Sequence, residues 1–337
     1  MRHITPRSNR GTRFRIRCWG ARGTTPSPGP HTVRYGGHTS CLEVRAADET
    51  LLVLDAGTGL RTLGQKLSPD EVVHVFLTHQ HSDHVLGLPH FAPLMRDVGV
   101  LPAPVAAGGN TGGSAAAASA TEAVIASLHH APIATAVPPA PRVRLISGTA
   151  SRGELQALLD TLLSPPLFPP LGVVTDRIAI QSFRGSTPAE VSDRVLVHRF
   201  PARHPGDAAI LRIDDGFGAA IAFAPDNELD YASTDPEVIA WRRGLTLALH
   251  GVPILVHDAM YTEHELPAHH GWGHSSALEA TRFAMECVAG LLVLFHHHPD
   301  RSDEAMDALV QECRQLVALS GSSLRVIAAW EGLSLTV

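Results

Sequence analysis

Lysine is almost missing from this sequence: Lys66 is the only one among 27 basic residues in a chain of 337. With 33 acidic residues the formal net charge is −6. That balance excludes a whole-surface field built to gather nucleic acid or anionic membrane, so an anion has to be bound by a local site. Cysteines are also few. Cys18, Cys41, Cys287 and Cys313 lie far apart and form no C-x-x-C pair, which argues against a disulfide framework or a zinc ribbon and fits a reducing cytoplasm. Apolar runs are short, Val288 to Phe295 being among the best, whereas a membrane span needs about 20 residues. The arginines at Arg2, Arg7, Arg10, Arg13, Arg15 and Arg17 are followed by no apolar stretch of a signal peptide, so neither an anchor nor export is expected.

Hydrophobic residues make up 44% and charged residues 18%, the composition of a folded globular chain. β-Branched and apolar runs bounded by Gly, Pro and Asp predict strands at Arg13–Cys18, Ser40–Arg45, Leu51–Leu54, Val72–Leu77 and Arg142–Ile146, with a short helix within Thr58–Leu67. Ser151 with Glu154 forms a capping box that opens a helix over Ser151–Leu163. A second strand-rich block covers Arg194–Phe200, Ala208–Ile213 and Ala219–Phe223. Then strand and helix alternate: helices at Pro236–Leu249, Ser275–Val288 and Asp303–Leu319, strands at Pro253–Val256, Leu291–Phe295 and Leu324–Ala328. This order predicts an α/β (α+β) domain of two face-to-face sheets with helices outside, an αββα sandwich spanning the chain as one domain. The stretch from about 102 to 141 is rich in Ala, Gly and Pro with Glu122 its only charge. It reads as an insertion, as a lid, a dimer contact or a disordered linker. Deleting it is expected to leave cooperative thermal unfolding and metal content intact, since loops tolerate such changes at small cost; loss of the cooperative transition would show that it packs into the core.

The sharpest local signal lies among the 21 histidines. Thr78-His79-Gln80-His81-Ser82-Asp83-His84 directly follows the apolar run Val72–Leu77. A strand ending in a tight loop turns His79 and His81 inward together, and a helix starting near Asp83 presents Asp83 and His84 from the other side, so that two metal ions can be served. This string resembles the signature of the metallo-β-lactamase superfamily, whose fold is the αββα sandwich. The resemblance continues along the chain: His204 after the strand at 194–200, Asp226 after the strand at 219–223 and His296 after the strand at 291–295 match the family's remaining ligands in order. It implies that His79, His81 and His204 hold one metal, that Asp83, His84 and His296 hold the other, and that Asp226 bridges them. A nitrogen and carboxylate set without thiolate favours Zn²⁺, with Mn²⁺ and Fe²⁺ as competitors.

Two further strings, Val256-His257-Asp258-Ala259-Met260-Tyr261 and Gly273-His274-Ser275-Ser276, are similar to paired motifs of the phosphodiesterase branch, which includes tRNase Z and the cyclic-phosphate phosphodiesterase of phosphonate degradation. Carried over, His274 becomes the general acid and Asp258 its orienting partner, with Asp83 counted among the catalytic groups as well as the ligands. The family often has glutamate where Asp258 stands, which leaves the reach of the shorter side chain open. His257 is read as core, His297 and His298 as supporting or solvent-facing, and His129, His130, His269 and His270 as exposed loop residues. The loops Gly20–Pro26 and Gly36–Ser40 are weak candidates for a phosphate nest, and Arg22 and Arg34 are the nearest basic candidates for an anionic substrate. The resemblance implies a dinuclear hydrolase in which metal-bound hydroxide attacks a small phosphodiester, such as a cyclic nucleotide or a sugar cyclic phosphate, and His274 protonates the leaving group. Hydrolysis of a thioester or lactone is the alternative on the same metals. Cleavage of tRNA 3′ ends is disfavoured because the insertion carries no Lys or Arg. A binding protein on a retired enzyme fold is disfavoured by the intact ligand set.

Overall fold

The computed structural model describes residues 13–68, 70–95, 141–164, 167, 178–216, 218 and 220–337. Apart from its last residue, the expected insertion lies outside them, as do His129 and His130.

Among the described residues the chain forms two seven-stranded sheets. The first half supplies β1 (Phe14–Gly20), β2 (Cys41–Ala46), β3 (Leu51–Leu54), β4 (Val73–Leu77), β5 (Val143–Ser147) and β6 (Ile178–Ser182). The second supplies β7 (Ala189–Ser192), β8 (Val195–Pro201), β9 (Ala209–Asp214), β10 (Ala220–Ala224), β11 (Ile254–Asp258), β12 (Leu291–Phe295) and β13 (Arg325–Ala328), and β14 (Ser334–Thr336) returns to pair with β1. The spatial orders are β14-β1-β2-β3-β4-β5-β6 and β13-β12-β11-β10-β9-β8-β7.

Helices α1 (Leu60–Gly64), α2 (Ser82–Val85), α3 (Ala92–Met95) and α4 (Arg152–Leu162) belong to the first half, and α5 (Pro236–Ala248), α6 (Ala277–Glu286) and α7 (Asp303–Ser320) to the second. The capping box at Ser151 and Glu154 forms as expected, and a second one joins Ser276 and Glu279 at the start of α6. Three strands escape the sequence pattern: β6, β7 and β14. All three are sheet edges, where one neighbour's hydrogen bonds stabilise the strand and no two-sided apolar pattern is required.

Inward side chains of both sheets, including Phe14, Ile16, Val44, Leu54 and Phe76 from the first and Val197, Leu211, Phe223, Val256, Val293 and Phe295 from the second, form one buried layer. A second layer packs the outer face of the first sheet on Leu60, Leu63, Leu155 and Leu159 of α1 and α4. A third packs the other sheet on Leu245, Phe283, Met306 and Leu309 of α5, α6 and α7. This is the αββα sandwich. Strands β10, β11 and β12 run parallel, and β8 shares their direction because β8 and β10 are both antiparallel to β9. Their carboxyl ends therefore open on one rim. Strands β3 and β4 are likewise parallel to each other, so the loops after them leave together.

Candidate metal centre

Each candidate side chain follows the C-terminal end of a strand on that rim. His79 and His81 sit in the loop after β4; Asp83 and His84 lie buried in α2 just beyond; His204 follows β8, Asp226 follows β10 and His296 follows β12. The loops bring all seven together. His79 Nε2 and His204 Nε2 lie 3.7 and 3.6 Å from Asp226 Oδ2, and His204 Nε2 is 3.1 Å from His81 Nδ1. On the other side, His84 Nε2 and His296 Nε2 lie 3.0 and 3.4 Å from Asp226 Oδ1. Asp83 Oδ2 is 3.2 and 3.1 Å from the same two nitrogens. One carboxylate thus faces a three-histidine group with one oxygen and a second group with the other.

These groups fit a metal by the chemistry of their donors. His79 Nε2, His84 Nε2 and Asp226 Oδ1 are buried and have no hydrogen-bond partner: they converge on common points instead of pairing in donor–acceptor geometry. Buried polar atoms left so are costly unless something else satisfies them, and a divalent cation accepts all such lone pairs. The atoms of His79, His81, His204 and Asp226 lie within 4.8 Å of one another, as do those of Asp83, His84 and His296, and of Asp226, His274 and His296.

A metallo-β-lactamase superfamily model matches residues 34–178, which include the histidine string and its flanking strands. Over that stretch the chain resembles the metallo-β-lactamase superfamily. Solved structures extend the likeness over nearly the whole chain. The metallo-β-lactamase fold protein YhfI from Bacillus subtilis is 16% identical, with 96% of this chain and 100% of that one covered at a TM-score of 0.61. A diphosphatase of the PhnP family is 17% identical over 96% and 97%, TM-score 0.55. The short form of human tRNase Z is 16% identical over 95% and 98%, TM-score 0.55. At such identities the likeness is one of fold. The comparison with curated proteins found no match.

Around the candidate centre, a further layer fixes which ring nitrogen faces inward. Asp55, just after β3 and in the left-handed region at φ 60°, accepts hydrogen bonds from Thr78 N at 2.8 Å, Thr78 Oγ1 at 3.0 Å and His84 Nδ1 at 2.7 Å. That bond leaves His84 Nε2 for the centre. Little in the sequence marks Asp55: it is an acid between the apolar run Leu51–Leu54 and Gly57. His204 Nδ1 donates to Gly273 O at 3.0 Å, which aims His204 Nε2 inward in the same way.

The protonation of the centre follows from burial and these contacts. Burial pushes His79 well below its ordinary value, reinforced by the charge of His84. Asp226 is held well below the usual carboxylate range: burial opposes this, but His296 and His84 outweigh it. His274 Nδ1 sits 2.7 Å from Asp258 Oδ2, and Asp258 also accepts from Asn227 N and Met260 N. The shorter side chain therefore reaches. Burial disfavours the imidazolium, yet the Asp258 carboxylate wins and His274 is pushed up to about 9.

Several expectations are corrected. Arg22 faces no substrate: it is buried and donates to the carbonyls of Gly36, His298 and Arg301. Arg34 pairs with Asp303, Glu304 and Asp307 of α7 and is not among the residues lining the cavity over the centre. His269 is no free loop residue, for its ring stacks on Tyr261 at 4.4 Å. His297 is buried, its Nε2 donating to Ala329 O, and His257 is core as expected.

The loop Gly20–Pro26 turns its backbone toward the ligands instead of forming a phosphate nest. Thr24 N donates to Asp83 Oδ2 at 2.7 Å, and a Cβ on Gly23 would overlap the His296 ring. Gly23→Ala is therefore expected to push His296 out of place and lower metal content while the αββα core still unfolds cooperatively; unchanged metal content by elemental analysis would refute that role for the glycine.

Proposed function

We propose that this chain is a dinuclear metal-dependent phosphodiesterase that hydrolyses a small anionic phosphodiester in a reducing, cytoplasmic setting. His79, His81 and His204 would hold one ion and Asp83, His84 and His296 the other, with Asp226 between them; the donor set favours Zn²⁺, with Mn²⁺ or Fe²⁺ as competitors. When bound, two such ions supply an activated nucleophile and a Lewis-acid clamp on the phosphate oxygens. The chain's own residues do the rest. Asp226 and Asp83 place negative charge between the histidine groups, and Asp55 and the Gly273 carbonyl hold His84 and His204 in the ligating orientation.

The observation that carries the reading is the His274–Asp258 pair. His274 Nδ1 is engaged by Asp258 at 2.7 Å, leaving Nε2 as the nitrogen able to hold a proton toward the cavity that His274 lines with Asp83, His204, Asp226 and His296. Since Asp83, His84, His296 and Asp226 already complete the second set, His274 is assigned to proton donation and not to ligation. An alkoxide leaving a phosphodiester needs that proton; a thiolate leaving a thioester needs it far less. The likeness of fold to a diphosphatase and to tRNase Z leans the same way. Elemental analysis of the purified protein, then assay against phosphodiesters, phosphomonoesters, thioesters and lactones, tests the proposal. Turnover of the carbonyl substrates with none of the diesters would overturn it.

A further inference from the structure

The cavity over the metal centre has a volume of about 410 Å³, the size of a small-molecule site. Beyond the metal groups its wall includes Met260, Tyr261, His269, Trp272, His298 and Pro299, and no Lys or Arg lines it among the described residues. The neighbouring cations are engaged: Arg301 pairs with Glu265 at 2.6 Å and Arg203 with Asp230 at 3.4 Å. Among the described residues, a second phosphate on a substrate would therefore meet no Lys or Arg on the cavity wall.

Trp272 stands out on that wall. It is 60% exposed, a poor placement for so large an aromatic unless it meets something. Its loop is pinned: the buried Glu228 accepts hydrogen bonds from Gly271 N at 3.0 Å and Gly273 N at 2.8 Å, and Trp272 N donates to His269 O. The His269 ring lies edge-on to Trp272 at 5.0 Å and face-to-face with Tyr261 at 4.4 Å. The aromatic ladder Trp272, His269, Tyr261 thus rises from the loop that ends in His274, on the side where a leaving group would take its proton.

Resting on the phosphodiesterase reading, we infer that Trp272, backed by His269 and Tyr261, forms a stacking subsite for a planar, uncharged ring on the leaving alcohol. The substrate class is then a nucleoside phosphodiester with no further phosphate, in preference to a bare sugar cyclic phosphate. Stacking of one base on an aromatic side chain accounts for roughly a 10- to 100-fold preference.

The test compares kcat/KM of the metal-loaded protein for a nucleoside cyclic phosphate and for ribose cyclic phosphate lacking the base. The parent protein should favour the nucleoside diester by ~10-fold or more, Trp272→Ala should bring the ratio close to one, and Trp272→Phe should restore most of it. Equal losses on both substrates, or none, would overturn the subsite. Should the parent protein hydrolyse neither diester, the phosphodiesterase reading fails separately, and binding of the free nucleoside then decides the subsite. Quenching of the tryptophan emission that is lost in Trp272→Ala supports it; no quenching at millimolar nucleoside overturns it.

Discussion

Asp226→Ala is expected to lower metal content at both groups at once and to reduce hydrolysis by roughly 10³-fold or more, because Lewis-acid stabilisation by bound ions is worth several kcal/mol. The reason is geometric. Oδ2 of this one carboxylate faces His79 and His204, and Oδ1 faces His84 and His296, so its removal takes a ligand and a compensating charge from both sides. Loss at only one group would be expected instead of His81→Ala or of Asp83→Ala, each of which touches a single set. Elemental analysis of the three variants after identical metal-replete purification is the measurement. Two ions retained per chain in Asp226→Ala would show that the aspartate bridges nothing.

His274→Ala is expected to keep its metals and lower kcat by ~10²–10⁴, the usual contribution of a general acid. The loss should depend on the leaving group: large for an alkyl or nucleoside ester, small for a nitrophenyl diester whose anion departs unaided. Asp258→Asn should show the same pattern more mildly, since it weakens the 2.7 Å contact that orients the ring without removing the imidazole. The pH dependence has a definite sign. Asp258 raises the pKa of His274 to about 9, so the protonated form is fully present below the ordinary histidine value near 6.5 and is lost as pH rises through the raised one. Two bound cations nearby would lower it. Activity on poor leaving groups should therefore fall on the alkaline side at or below about pH 9, and this limb should be absent from His274→Ala. An unchanged limb, or equal losses on good and poor leaving groups, would assign the histidine to substrate positioning instead.

The strand ends most legible in the sequence are those that carry the site. Val73–Leu77, Ala220–Ala224, Ile254–Asp258 and Leu291–Phe295 are buried along their whole length, and a strand covered on both faces shows itself as a near-continuous apolar run. Edge strands such as Ala189–Ser192, with no buried residue, leave no such mark. The same contrast separates the ligand candidates from their supports. His79, His81, Asp83 and His84 are neighbours in sequence, whereas Asp55, which fixes His84, is a single acid 29 residues upstream in a turn like many others.

By itself the sequence determined the two-sheet sandwich and the histidine and aspartate string after the fourth strand, because apolar periodicity and local residue spacing survive without three-dimensional context. The resemblance of two further strings to paired motifs of the phosphodiesterase branch also marked Asp258 and His274 as a pair of interest. Only the tertiary structure decided that Asp258 reaches His274, that Arg22 is buried scaffolding and Arg34 is paired with α7, and that Gly23 makes room for His296. It also revealed that Trp272 stands exposed at the cavity that His274 lines. Each of these is a contact between loops far apart in the chain. Such contacts are fixed by where parallel strands release those loops on a shared rim, a relation between segments that no single stretch of residues carries.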